Sequence, residues 1–407
     1  MKLRKVAVVA TALVLVAAAC SDDDKAEETT TSAAAVETTA APTETTAAPT
    51  ETTAASTETT AAPVDVSLKD VCPDPLVIQT DWFPEAEHGA MYELVGEGYT
   101  VDVAKKVVTG PLVTGGVDTG IKIEVRTGGP AIGFAAPSAQ LYTDNSIHLG
   151  YVSTDDAVNS FSKTPTIAVV APLEINPQMI MWDPATYPEA KTIDDLAKAG
   201  VTFNVFGGQT YTEVFVKEGR IPADLVDPSY DGSPQRFIAS GGKIAQQGFV
   251  SAEPYQYEKE FAEWGKPVAY QLIHDAGFKI YSQPLAIRAE DKAALDGCLK
   301  KFVPMVQQAA IDFVNNPAKA NSIIIDAVAQ YKDFWVYGQG VADFSVAKQK
   351  ELGLIGNGPD TTLGNFDLAR VQEAIDQMKA AGFEVPADFT AETIVTNEYI
   401  NPAIGLS

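Results

Sequence analysis

The sequence is poor in cysteine and histidine. Three of each occur in 407 residues: Cys20, Cys72 and Cys298, and His88, His148 and His274. They are too few and too scattered to frame a zinc site, so no metal and no cofactor is expected. Positive charge is also scarce, with 29 Lys and Arg against 54 Asp and Glu and a net charge of −25. Residues 1–63 hold 4 basic and 9 acidic groups, which leaves −20 on residues 64–407. Nucleic-acid binding needs clustered Lys and Arg and is excluded. The balance also gives no support to a strongly anionic ligand, unless a local basic pocket overrides it. Long apolar runs are missing apart from residues 6–19, which fall short of the roughly 20 residues of a membrane span. No Gly-x-Ser-x-Gly nucleophile motif and no metal motif occurs, so catalysis has no sequence support.

What is present begins with an address. Met1-Lys2-Leu3-Arg4-Lys5 is basic, the apolar run ends Val16-Ala17-Ala18-Ala19, and Cys20 follows. This reads as a secretory signal, residues 1–20, with a lipobox-like end at a lipidated Cys20. A seven-residue repeat then runs from Val36 to Pro63 (VETTAAP, TETTAAP, TETTAAS, TETTAAP). It offers no large apolar side chain to bury, so nothing offsets its ordering entropy. Residues 21–71 are read as a disordered Thr/Ala/Pro/Glu tether, whose residues 21–63 would span about 35–40 Å as a random coil. The chain is therefore expected in the cell envelope, lipid-anchored on the outer face of the cytoplasmic membrane. Outside the cytoplasm Cys72 and Cys298 would pair and pin the start of the fold to a distant helix; two separate buried thiols are the alternative.

The remaining 340 or so residues are long for one core and suit two lobes. Strand-like segments at 75–80, 121–126, 147–152, 166–171, 201–206, 268–273 and 279–281 alternate with helix-like ones at 87–96, 131–142 and 192–200. From residue 291 the pattern is mainly helical, over 291–315, 318–335, 343–352 and 367–381. Alternation of this kind predicts an α/β fold with mostly parallel sheets, and ligands of such sheets bind where strands end and loops turn.

Three segments carry candidate ligand chemistry. Residues 81–92 leave the first strand with Asp81, Trp82, Phe83, His88 and Tyr92. They offer a carboxylate, flat rings and hydrogen-bonding edges that could sandwich a ring. Equally, Trp82 and Phe83 could be core and His88 a helix-surface residue. Gly207-Gly208-Gln209-Thr210-Tyr211 follows a strand and opens a helix. It would present backbone N–H groups to an acceptor, or serve as a plain turn. In residues 248–257, Glu253 precedes Pro254 and is expected outside a helix and exposed, with Tyr255 and Tyr257 as aromatic walls; an ordinary surface loop is the alternative. Gly129, in Gly128-Gly129-Pro130, could likewise aim an N–H at a cleft or only turn the chain.

The pattern Asp81-Trp82-x-Pro84-x-x-x-His88-x-x-x-Tyr92, followed by Gly98-Tyr99, resembles the opening motif of the NMT1/THI5-like family. These are substrate-binding proteins of ABC importers for thiamine-pyrimidine precursors, related to the sulfonate, taurine (SsuA/TauA) and nitrate binders. Tyr230-Asp231-Gly232-Ser233-Pro234, Gln247-Gly248-Phe249, Glu253-Pro254-Tyr255, Gly364-Asn365-Phe366-Asp367 with Arg370, and Thr396-Asn397-Glu398-Tyr399 resemble further segments. Residues 103–118 depart from the pattern as an altered or inserted piece.

The resemblance implies a type II-like periplasmic-binding-protein fold, with lobe 1 over 72–170 and 275–407, lobe 2 over 171–274, and the ligand between them. It implies a monomer that binds a small solute and meets ABC permease and ATPase subunits. Asp81 and Glu253 would take polar edges, Trp82, Tyr92, Tyr211 and Tyr255 flat faces, and the Gly207-Gly208 amides an acceptor. Tyr230, Asp231 and Thr210 would stand beside them. A pyrimidine-like nitrogen heterocycle suits these groups better than a sulfonate or nitrate, because no Arg lies in the motifs and Arg126 and Arg236 are the nearest alternatives. Fungal relatives of this fold are enzymes that use an active-site His and a cysteine-rich segment; here His88 is present and the segment is not.

Overall fold

The computed structural model describes residues 66–407. The signal, Cys20 and the repeats lie outside the described residues. The fold includes residues read above as the end of the tether: Leu68 is fully buried, and its N–H donates to Thr119 O at 2.9 Å. No helix among the described residues is long and apolar enough to cross a membrane.

Among the described residues, twelve strands form two sheets. They are β1 (Leu76–Gln79), β2 (Thr100–Asp102), β3 (Val107–Thr114), β4 (Val117–Arg126), β5 (Leu149–Tyr151), β6 (Thr166–Val170), β7 (Gln178–Trp182), β8 (Phe203–Asn204), β9 (Val226–Asp227), β10 (Ala245–Phe249), β11 (Ala269–Leu272) and β12 (Leu285–Arg288). The first sheet has the order β2-β3-β4-β1-β5-β12-β6 and the second β11-β7-β10-β8-β9. The chain leaves the first sheet after Val170 and returns to it at Leu285, so two crossovers join the lobes.

Both sheets are mixed rather than mostly parallel. β1 pairs parallel with β4 and β5, and β8 with β9 and β10, while β12, β3 and β7 run antiparallel to their neighbours. Part of the difference is the hairpin of residues 103–118, where Gly115 and Gly116 at φ 53° and 77° make the two-residue turn joining β3 to β4. The expected strand at 279–281 is absent; those residues form the second crossover. β1 (LVIQ) is buried at every position, as befits a central strand, whereas β4 alternates buried and exposed residues.

The helices are α1 (Gly89–Glu93), α2 (Pro137–Thr143), α3 (Thr154–Ser160), α4 (Ile193–Lys198), α5 (Thr210–Lys217), α6 (Gln235–Ala239), α7 (Glu253–Tyr255), α8 (Lys292–Asn315), α9 (Ala318–Tyr331), α10 (Gln339–Glu351) and α11 (Leu368–Ala381). α4 starts in a capping box between Thr192 and Asp195. α8 buries Leu295, Leu299, Phe302, Val306, Ala310 and Phe313 along one stripe against the first sheet. α1 can pack on it because residue 89 is glycine: a Cβ there would lie 2.3 Å from the Phe313 ring. Cys72 and Cys298 are joined by a disulfide, which ties the start of the fold to α8 across 226 residues.

α11 packs on α3 and α5 and is part of a core that takes residues from both lobes. Its Arg370 reaches both crossovers. It donates to Glu174 Oε1 at 2.8 Å on the first, and to the carbonyls of Lys279 and Ile280 at 3.0 and 2.7 Å on the second. The segments at 364–370 and 396–399 meet here as structure: Asn397 makes both amide hydrogen bonds to the Phe366 backbone, and Asp367 caps α11.

Candidate functional site

A cavity of about 600 Å³ lies between the two sheets, a size suited to a small organic ligand. Its first-lobe wall comes from the turn after β1, the loop around Gly129 and Phe134, the start of α3, and Gln283 and Trp335. Its second-lobe wall comes from Phe206 to Thr210, Tyr230 to Gly232, and β10 with Glu253.

Asp81, Trp82, Gly129, Gly207, Gly208, Thr210, Tyr230, Asp231 and Glu253 stand on this wall. Phe83, His88, Tyr92, Tyr211 and Tyr255 do not. Phe83 is core, stacked on Trp335 with centroids 6.3 Å apart. His88 and Tyr92 are fully buried, because the helix face they share turns toward the core rather than the cleft. Tyr211 is buried with its hydroxyl donating to Gln247 Oε1 at 3.0 Å. Tyr255 packs on Phe344, and Tyr257 is core.

Glu253 differs from expectation in two respects. It opens the short helix α7, where Pro254 takes a first-turn position that needs no N–H, and it is only 9% exposed. Its Oε2 accepts from Phe249 N at 2.8 Å. Burial pushes its carboxyl up to about 7 against that hydrogen bond.

His88 has an indirect place. Its Nε2 lies 2.7 Å from Asp81 Oδ1, and Gln283 Nε2 donates to both Asp81 oxygens at 3.1 and 3.0 Å. Asp81 is thereby fixed at the cavity edge by two buried groups. Trp82 is fixed by absence of side chains: a Cβ on Gly129 would come within 2.5 Å of the indole, and one on Gly232, from the other lobe, within 3.0 Å. Phe206 of the second lobe stands 5.9 Å from Trp82 and 4.7 Å from Tyr230, and Phe134 stands 6.1 Å from both Trp82 and Phe206. The aromatic groups thus meet across the cleft.

The electrostatics are one-sided. Asp81, Glu85, Asp155, Asp156, Asp231 and Glu253 line the cavity, and among the lining residues there is no Lys, Arg or His. Arg126 is engaged by Glu124 and Asp144, and Arg236 by Asp227 and Ser229; neither reaches the wall. Glu85 is 5% exposed, and its carboxyl is raised well above the usual range by burial first and then by Glu87, Asp81 and Glu253. Burial lifts Asp156 to about 6. Further polar atoms on the wall, among them Gln283 Oε1, Tyr151 Oη, Asp155 Oδ1, Asp156 Oδ2 and the donor Asn176 Nδ2, are buried without a hydrogen-bond partner.

Sequence reasoning passed over Glu85, Phe134, Tyr151, Asp155, Asp156, Phe206, Gln283 and Trp335. Glu85 lies inside the segment singled out, and Phe206 directly precedes Gly207-Gly208. Asp155 and Asp156 follow Ser153, whose hydroxyl caps α3, a signal readable as a helix start rather than a site. Gln283 and Trp335 have no local signal; only tertiary structure brings them in.

No family model and no curated protein matches this sequence. Solved structures do. The periplasmic nitrate-binding protein NrtA from Synechocystis PCC 6803 superposes with a TM-score of 0.51, covering 81% of this chain and 88% of that one at 12% identity. The alkanesulfonate-binding protein SsuA from Xanthomonas axonopodis pv. citri, bound to MOPS, gives 0.49 over 80% and 99% at 11% identity. The aliphatic sulphonate binding protein SsuA from Escherichia coli gives 0.44 over 76% and 86% at 13% identity. The fold is the two-lobed α/β fold of periplasmic binding proteins.

Proposed function

We propose that this chain is an extracytoplasmic solute-binding lipoprotein of an ABC importer. It holds a small nitrogen-bearing organic solute, of the kind of a thiamine-pyrimidine-like heterocycle, between its lobes and presents it to permease and ATPase subunits. The observation that carries this reading is the cavity between the sheets, walled by aromatic rings and by hydrogen-bond acceptors. Flat faces are supplied by Trp82, Phe206 and Tyr230, and acceptors by Asp81, Glu253 and Gln283. The Gly207-Gly208 turn, with Gly208 at φ 75°, leads into α5 and leaves its first N–H groups for an acceptor atom of the solute. A sulfonate or nitrate would meet six carboxyl-bearing residues and no cationic side chain on this wall, an arrangement that repels anions.

Native mass spectrometry of the protein as purified, and again after unfolding and refolding, tests the reading. A small molecule present before refolding and absent after it is expected. No bound mass, together with no rise in melting temperature from pyrimidines, amines or sulfonates, would sink the solute-binding reading. Anchoring is tested separately: Cys20→Ser should move the protein from the membrane fraction to the soluble one.

A further inference from the structure

The solute-binding reading leaves the charge of the solute open, and the wall of the cavity bears on it. The cavity carboxylates differ in burial and in what already satisfies them. Asp81 has His88 and Gln283. Glu253 has the Phe249 N–H. Asp231 accepts from Ser233 N at 3.0 Å. Asp155 and Asp156 of α3 also hold a buried carboxyl oxygen without a partner, but both residues are only half-buried. Glu85 is more than nine-tenths buried, lies on the cavity wall, and receives no hydrogen bond to its carboxyl from any described residue. The ionisable groups facing it are Asp81 on the same turn, Glu87 on the next turn, Glu253 of α7, Tyr92 of α1, and Tyr337. None is a cation. Glu87, its neighbour, shows the contrast: it is equally buried but accepts from the Ser251 hydroxyl.

Resting on the solute-binding reading, we propose that the solute is a protonated primary or secondary amine, with Glu85 as its counter-ion. A buried carboxyl that lacks a protein partner is completed by a charge-assisted donor, and such hydrogen bonds are the strong ones. The amine must carry N–H groups, because Gln283 Oε1 and Tyr151 Oη stand on the same wall as buried polar atoms without partners and gain most from a donor. The indoles of Trp82 and Trp335, perpendicular with centroids 6.2 Å apart, supply faces that favour a cation over a neutral group. A metal ion does not fit: among the described residues no group of three or more His, Cys, Asp or Glu is placed to hold one.

A balance of protons follows. Burial and its acidic neighbours shift Glu85 toward its protonated form in the empty site. The amine arrives as the ammonium ion, Glu85 ionises against it, and up to one proton leaves to solvent for each solute bound. Affinity should therefore rise with pH as long as the empty site still holds that proton, by up to about tenfold per unit for one exchanged proton.

Matched probes on the full chain test this: benzylamine against benzyl alcohol, 1,4-diaminobutane against 1,4-butanediol, and taurine. Thermal shift and calorimetry should show an amine binding about 100-fold more tightly than its alcohol, the scale set by one buried charge pair. Titration in phosphate and in Tris should read release of up to one proton, falling as pH rises. Glu85→Gln should remove both the preference and the proton release. An alcohol that binds as well as its amine overturns the inference and leaves the solute-binding reading standing. Amine binding unchanged in Glu85→Gln overturns the role of Glu85. If no probe binds and no small molecule co-purifies, the solute-binding reading fails and takes this inference with it.

Discussion

Glu174 and Glu85 are both acidic side chains taken largely out of water, and the fold treats them in opposite ways. Glu174, on the first crossover, is met by Arg370 at 2.8 Å. The same guanidinium fills two carbonyls of the second crossover and lies over the Tyr281 ring at 4.0 Å. Glu85, on the cavity wall, has only acids and phenols around it. A buried carboxyl whose partners all come from the chain belongs to the frame. One whose partners are missing belongs to the site, because the cost of leaving it open in the empty protein is recovered when a ligand enters.

The largest effect should come from breaking the frame. Arg370→Met leaves Glu174 and the carbonyls of Lys279 and Ile280 without their donor, and removal of one member of a buried pair costs about 3–5 kcal/mol. Arg370→Lys should recover little, since an ammonium cannot reproduce a planar fork reaching three acceptors. Urea unfolding of the two variants measures this. A loss under about 1 kcal/mol in Arg370→Met would mean that the shared core under α11 holds the crossovers unaided, and the contrast between the two sites would collapse.

The second effect sharpens the comparison through pH. Burial is the first cause lifting Glu174 and Glu253 from 4.5 to about 7, over the opposing pull of Arg370 in one and the Phe249 N–H in the other. A carboxyl whose pKa is raised on folding contributes stability that is fully present below its unfolded value and is lost as pH climbs through the folded value. The window here runs from 4.5 to about 7. Each group should cost the ligand-free protein about 3 kcal/mol across it. The melting temperature should fall over that range and level off above it, and Glu253→Gln should flatten part of the fall. A melting temperature that climbs from pH 5 to pH 7.5 would contradict both assignments.

How much of this was legible beforehand depended on whether the signal was local. α4 and its cap were written in Thr192 and Asp195, and α5 in the glycines before it, because capping and turns depend on neighbours in sequence. Buried strands such as β7 (QMIMW) and β10 (AQQGF) carry neither alternation nor β-branched enrichment, so nothing marked them. The site divides in the same way. Asp81 and Trp82 were found because they leave a strand end. His88 and Tyr92 were drawn in with them because four-residue spacing shows that two residues share a face, without showing which way that face points. Glu85 could not be told from any other acid in an acidic chain; what distinguishes it is deep burial without a hydrogen-bond partner, which only tertiary structure reveals. Arg370 was noticed through resemblance, and its task, holding two crossovers about 90 and 200 residues away in sequence, has no local trace.

The smallest expected effect isolates the contact between lobes. Gly232 and Gly219 both sit at positive φ, 89° and 73°, so replacing either by alanine should cost about 1–2 kcal/mol of backbone strain. They differ in what surrounds them. A Cβ at Gly219 meets nothing within 4 Å, whereas one at Gly232 lies 3.0 Å from two atoms of the Trp82 indole, which belongs to the other lobe. Gly219→Ala should therefore lose stability and keep solute affinity. Gly232→Ala should lose a similar amount of stability and also affinity, because Trp82 must shift by a few tenths of an ångström on the wall it forms. Thermal melting separates the shared strain from the rest, and calorimetry with whichever solute binds reads the difference. Equal affinities in the two variants would mean that the indole has room to move in the closed cleft, and that the aromatic contact across the lobes is incidental to holding the solute.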